Sequence, residues 1–127
     1  MSKATICIID DDPIYQLVTK KIIEKSFFFP IVSSFTNGLE AISYFQQSAA
    51  LPDVILLDIE MPVMDGWDFL DEIVSIRNRF NADTSIYIVS SSIAKEDKEK
   101  ALTYGCIKGF ISKPVTLSKI EKIANPD

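Results

Sequence analysis

The sequence is 127 residues long, 47% hydrophobic and 24% charged, the balance of an ordinary globular chain with room for one cored domain. Its net charge of -5 disfavours a direct nucleic-acid partner, since that binding is driven by cationic side chains releasing counterions. No apolar run approaches the roughly 20 residues that span a bilayer, and the apolar stretch near Met1 is too short for a signal peptide, so a cytoplasmic protein without membrane contact is expected. The absence of histidine excludes Ser-His-Asp chemistry, Cys-His nucleophiles and His-ligated zinc together.

The first strand-sized apolar run is Thr5 to Ile9, and Asp10-Asp11-Asp12 follows it. Asp12-Pro13 then places a capping carboxylate before a proline suited to the first turn of a helix, whose apolar stripe reads Ile14, Leu17, Val18, Ile22. A second run, Ile31 to Phe35, leads to Asn37-Gly38, which opens a helix with Leu39, Ile42 and Phe45 at helical spacing. The third run, Val54 to Leu57, ends at Asp58, and the helix after it presents Phe69, Leu70, Ile73 and Val74, with Trp67 near its start as packing. Ile86 to Val89 is the fourth run and Ser90-Ser91-Ser92 follows it. The weakest helix, Lys95 to Tyr104, offers mainly Ala101 and Leu102 as its apolar face and is closed by Gly105. Gly109 to Ile111 is the fifth run, followed by Lys113-Pro114 and a last helix reading Leu117, Ile120, Ile123. Cys7, inside a strand pattern, reads as a small core hydrophobe, and no spacing to Cys106 suggests a metal.

Five strands alternating with five helices imply an α/β domain over residues 1–127, a doubly wound parallel sheet covered on both faces. The first and third strands, nearly all apolar, belong at its centre. In such a sheet the site lies outside the carboxyl ends of the strands. The aspartates at 10–12, Asp58, the serines at 90–92 and Lys113 all fall on that one edge.

Carboxylates converging at one edge repel one another unless a cation offsets them. Mg2+ meets that need, taking oxygen ligands and accepting one or two carboxylates. Asp11 and Asp58 are the expected direct ligands, with Asp10 acting through water and Asp12 left to cap the helix. Asp58, where a buried strand emerges, is placed to attack phosphorus and form an acyl phosphate. Phosphoryl transfer then requires positioning and positive charge, which Lys113 supplies, while Ser90 can donate to a phosphoryl oxygen.

With these residues placed, the chain resembles the receiver domains of bacterial response regulators, the CheY-like fold, along essentially its whole length. The likeness is carried by Ile8 to Pro13, by the run Leu57-Asp58-Ile59-Glu60-Met61-Pro62-Val63-Met64-Asp65-Gly66, by Ile88 to Ser91, and by Ser112-Lys113-Pro114. The resemblance implies a flavodoxin-like sheet of order 2-1-3-4-5 with five helices, a single-domain receiver, and phosphorylation of Asp58. It further implies Mg2+ held by Asp10, Asp11, Asp58 and the main-chain carbonyl of Glu60, with Ser90 as the switch hydroxyl and Lys113 as the phosphate-contacting lysine. The implied donor is a phosphohistidine on a histidine kinase or histidine phosphotransfer protein, and the receiver catalyses both its own phosphorylation and its dephosphorylation. Phe110, three residues before Lys113, matches the aromatic that turns inward on activation, and the change is read by a partner on the face of the fourth helix, fifth strand and fifth helix.

Two departures from the family pattern stand out. The stretch Gly105 to Phe110 is one residue longer than usual before the fifth strand, and Glu60 and Ser92 occupy positions that tune hydrolysis of the acyl phosphate. Rival readings are a haloacid-dehalogenase-like phosphatase, which would carry an aspartate where Glu60 stands, and a flavodoxin-like carrier, whose flavin phosphate Asp10 to Asp12 would repel. A binding module that never takes phosphate is the third.

Overall fold

The computed structural model of the chain describes residues 5–47, 51–59, 64–80, 84–91 and 94–125. Five strands alternate with five helices: β1 (Thr5–Ile9), α1 (Pro13–Ser26), β2 (Ile31–Phe35), α2 (Gly38–Gln47), β3 (Val54–Asp58), α3 (Gly66–Phe80), β4 (Ser85–Ser90), α4 (Lys95–Ala101), β5 (Ile107–Ser112) and α5 (Leu117–Ala124). All strand pairs are parallel, in the order β2-β1-β3-β4-β5, as the sequence pattern and the family resemblance imply.

The two-residue period of the strands splits the core into two layers. Cys7, Ile9, Ile55, Leu57, Ile86 and Ile88 face α2, α3 and α4 and pack with Ala41, Phe69 and Ala101. Ile6, Ile8, Val54, Leu56 and Val89 face the opposite way and pack with Ile23 of α1 and Ile120 of α5. β3 is buried at every position, which explains why its sequence is an unbroken apolar run up to Asp58. Burial pushes the Cys7 thiol up to about 12, so this cysteine is an inert core residue as expected.

Side chains lock the ends of the sheet. At the amino ends, the Thr5 backbone and hydroxyl both donate to Asp53 Oδ2 at 3.1 Å, and the Asp53 backbone N–H donates to Thr5 Oγ1 at 2.8 Å. At the carboxyl ends, Gln16 Nε2 donates to the Asp10 carbonyl at 2.8 Å and also to the carbonyl of Phe35, satisfying two acceptors where β1 and β2 stop. Asp12 accepts from the backbone N–H groups of Ile14 and Tyr15 at 3.0 and 3.2 Å, the expected cap of α1. Asn37 caps α2 by accepting from the Glu40 backbone at 2.8 Å.

Several expectations about helix faces are corrected. In α1, Ile14, Leu17 and Val18 are exposed at 74%, 55% and 49%, and the residues turned into the core are Thr19 and Ile23. The stripe is apolar on two sides of the helix, and spacing alone does not say which side packs. Leu39 and Leu117, in the first turns of α2 and α5, are also exposed. α4 stops at Ala101 rather than Tyr104, and Leu102 is exposed. Thr103 and Tyr104 then form turns by donating to the carbonyls of Lys100 and Ala101, so Gly105 does not close the helix.

The longer stretch before β5 takes the form of a register shift, in which Ile86 faces Ile107 but Tyr87 faces Gly109, leaving Lys108 as a bulge on the edge strand. Trp67 packs against the α2–α4 side of the core, as expected, and stacks on Tyr104 with ring centroids 6.1 Å apart.

Gly66 sets the start of α3. Its N–H donates to the carbonyl of Ile59 at 3.1 Å, and a Cβ there would meet the Ile59 Cα at 2.5 Å. Gly66→Ala is expected to lower stability by about 2 kcal/mol, because a backbone atom has to shift. A urea unfolding midpoint indistinguishable from the parent's would show that the approach is not limiting.

Candidate functional site

The carboxyl ends of four strands assemble the site. Asp10 directly follows β1, Asp58 is the last residue of β3, Ser90 is the last of β4, and Lys113 follows β5. Asp58 is paired with Val89, so Ser90 lies one residue further along the neighbouring strand. Ser90 is paired with Ser112, and its carbonyl accepts the Lys113 backbone N–H at 2.9 Å. Register alone therefore brings Asp58, Ser90 and Lys113 to adjacent positions.

Asp10, Asp58 and Ser90 are buried, at 4%, 5% and 2% exposure, whereas Asp11 is exposed. Lys113 Nζ lies 3.1 Å from Asp10 Oδ2 and 3.4 Å from Asp58 Oδ2, bridging the two carboxylates. The other oxygen of Asp10, Oδ1, accepts the Asp12 backbone N–H at 2.9 Å. Burial by itself lowers the Lys113 pKa, but its hydrogen bond to Asp10 and the charges of Asp58 and Asp10 outweigh it, and the ammonium is held above the ordinary lysine value. It is a fixed positive charge at any physiological pH.

Asp10, Asp11 and Asp58 each offer a carboxylate oxygen, and these oxygens lie within 4.8 Å of one another. Such a set of hard, anionic donors fits a small divalent cation that keeps part of its water shell. The carbonyl of Glu60, and Ser92, lie outside the described residues. Ser91 is exposed just beyond Ser90. Phe110 is half-buried on β5, beside Ile88 in register, with Lys98 Nζ 6.0 Å from its ring centroid.

Two residues at the site escape the sequence reading. Tyr15, in the first turn of α1, places its ring under Lys113 Nζ, 4.4 Å from the centroid. An aromatic one helical turn beyond Asp11 is the signal that could have drawn attention to it. Lys119 of α5 donates from Nζ to the carbonyls of Ser112 and Pro114 at 2.7 and 3.1 Å, fastening the backbone on both sides of Lys113, whose peptide bond to Pro114 is cis. Its place two residues into α5 carried no such signal.

The family described as the response regulator receiver domain matches residues 6–125. The chain is 30% identical to a probable C4-dicarboxylate response regulator DctR of Priestia megaterium over 93% of its own length and 49% of that protein's. It is 30% identical to the chemotaxis protein CheY of Halobacterium salinarum, covering 86% of this chain and 83% of that one. It thus spans about half of the first relative and most of the second. Among solved structures, a two component response regulator from Cytophaga hutchinsonii superposes with a TM-score of 0.89 at 25% identity, covering 99% of this chain and 97% of that one.

Proposed function

The chain belongs to the response regulator receiver family and is a phosphoacceptor switch of two-component signalling, and from that premise we propose that Asp58 takes the phosphoryl group while Asp10, Asp11 and Asp58 hold Mg2+. The observation that carries the assignment is the bridge of the Lys113 ammonium between Asp10 and Asp58, inside a cluster of three carboxylates at the strand ends. The donor is a phosphohistidine on a histidine kinase or phosphotransfer protein. Asp58 Oδ attacks phosphorus, and the P–N bond breaks with its electron pair returning to the donor imidazole. Lys113, already charged and aimed at Asp58, follows the developing negative charge on the phosphoryl oxygens without reorganising. Bound Mg2+ would supply the remaining charge neutralisation across the carboxylate and phosphoryl oxygens. Later hydrolysis is assigned to the same site, with water attacking phosphorus and the P–O bond to Asp58 breaking to return the carboxylate and release phosphate. Intact mass after incubation with acetyl phosphate and Mg2+ tests this reading: gain of one phosphoryl group per chain supports it, and no gain refutes it.

The exposed Ile14, Leu17 and Val18 supply the docking surface for the donor. They sit at i, i+3 and i+4 on α1, whose first turn adjoins the site through Asp12 and Tyr15. An apolar stripe that the core does not use suits a helix of a partner protein. Leu17→Glu is expected to slow transfer from a phosphohistidine donor about tenfold, taken relative to labelling by acetyl phosphate. Equal slowing with both donors would place the effect in the site and not at a docking surface.

The output follows from the added charge and three acceptor oxygens of a phosphoryl group, which draw the Ser90 hydroxyl inward and with it the loop after β4. Phe110, two register positions before Ser112, lies between grooves of about 420 and 270 Å3 on the α4 and α5 sides of β5. That face, α4–β5–α5, is the surface a downstream protein reads as the population shifts between two forms. A cytoplasmic setting belongs to the same reading.

A further inference from the structure

Among the described residues the Lys113 ammonium meets Asp10, Asp58 and the Tyr15 ring, and the first two change during the reaction. Asp10 and Asp58 hold its ammonium at 3.1 and 3.4 Å, but on the reading above both carboxylates also serve a divalent cation, and Asp58 becomes the phosphorylated oxygen. The third neighbour is the face of the Tyr15 ring, 4.4 Å from Nζ, well within the distance at which an ammonium is attracted to an aromatic quadrupole. That partner is neither a ligand nor a reactant.

The backbone geometry aims both groups. Asp12 caps α1 by accepting from the Tyr15 backbone N–H, which fixes the turn that carries the ring. Lys119 clamps the carbonyls of Ser112 and Pro114 around Lys113, and the Ser90 carbonyl holds the Lys113 N–H. What the backbone does not fix is the four-carbon stem, whose rotamer entropy is high, as arginine's is.

We infer that Tyr15 is a positioning residue for Lys113, its ring keeping the ammonium directed at position 58 while its two carboxylate partners are engaged by the metal and the phosphoryl group. The inference rests on the phosphoacceptor reading of Asp58. The ring does this as a neutral phenol: burial raises the Tyr15 pKa against the opposing pull of the Lys113 charge. Its hydroxyl is enclosed beside the Val115 backbone, and what meets the Lys113 ammonium is the aromatic face and not the hydroxyl.

Two measurements on the full chain test this. In the first, labelling by acetyl phosphate with Mg2+ is timed for the parent, Tyr15→Leu and Tyr15→Phe. Tyr15→Leu is expected to be about fivefold slower, and Tyr15→Phe to stay within about twofold of the parent because it keeps the ring. In the second, NMR of the Lys113 Cε protons is recorded with Mg2+ alone and with Mg2+ plus beryllofluoride. An upfield ring-current shift present in both states, retained in Tyr15→Phe and lost in Tyr15→Leu, supports the inference. A shift that disappears with beryllofluoride, a Tyr15→Phe variant as slow as Tyr15→Leu, or a Tyr15→Leu variant as fast as the parent overturns it. A parent that takes no phosphoryl group overturns the reading of Asp58 and this inference with it, whereas a labelled parent with an unaffected Tyr15→Leu overturns the inference alone.

Discussion

Asp58→Asn is expected to abolish phosphoryl uptake outright: acetyl phosphate and Mg2+ should add about 80 Da to the parent by intact mass and nothing to the variant. The reason is geometric as well as chemical. Asp58 is the carboxylate at the end of the fully buried β3, held 3.4 Å from Lys113 Nζ, and an amide at that position is neither a nucleophile toward phosphorus nor an anionic ligand. The fold should survive, because the substitution is nearly isosteric and removes one of three converging negative charges. An adduct of the same mass on the folded variant would move the acceptor to another residue, with Asp10 and Asp11 the next to test.

Lys113→Ala is expected to have two separable effects. Without Mg2+ the variant should lose about 2 kcal/mol of stability, since removing one partner of a buried ion pair leaves uncompensated charge on Asp10 and Asp58. The figure is set below that for a fully enclosed pair because the Lys113 side chain keeps 16% exposure. Saturating Mg2+ should reduce the deficit, as a divalent ion replaces the missing positive charge, and unfolding with and without Mg2+ measures the difference. Labelling by acetyl phosphate should meanwhile fall about a hundredfold, the scale seen when one preorganised donor to a developing oxyanion is removed. Mg2+ binding, followed by calorimetry, should persist. A variant that labels and responds to beryllofluoride like the parent would remove Lys113 from the site.

Much of the site is legible in the sequence because strand ends are easy to locate. Asp10, Asp58, Ser90 and Lys113 each terminate or follow an apolar run, and in a parallel sheet all such positions share one edge, so spacing alone predicts that they meet. The side on which each helix packs is far less legible. Ile14, Leu17 and Val18 satisfy helical spacing as well as Thr19 and Ile23 do, yet the first set is exposed and the second is buried. A helix that is apolar on two sides carries no label in its pattern for the side that packs. The end of α4 is obscure in the sequence for a related reason: its residues, Lys95 to Ala101, are almost entirely charged, and Leu102 extends the apolar pattern without being packed. Tyr15 acts through a ring face turned to a residue distant in sequence, and Lys119 through two main-chain carbonyls five and seven residues before it, contacts that hydrophobic periodicity does not encode.

The irregularity at Lys108 bears on how copies of the chain meet one another. β5 is an outer strand with an open row of backbone groups, the kind of border along which sheets from separate molecules join end to end. A kink carrying an exposed lysine interrupts that row in its first half, between the residues facing Ile86 and Tyr87. Stacking of copies through main-chain pairing along this border is thereby discouraged.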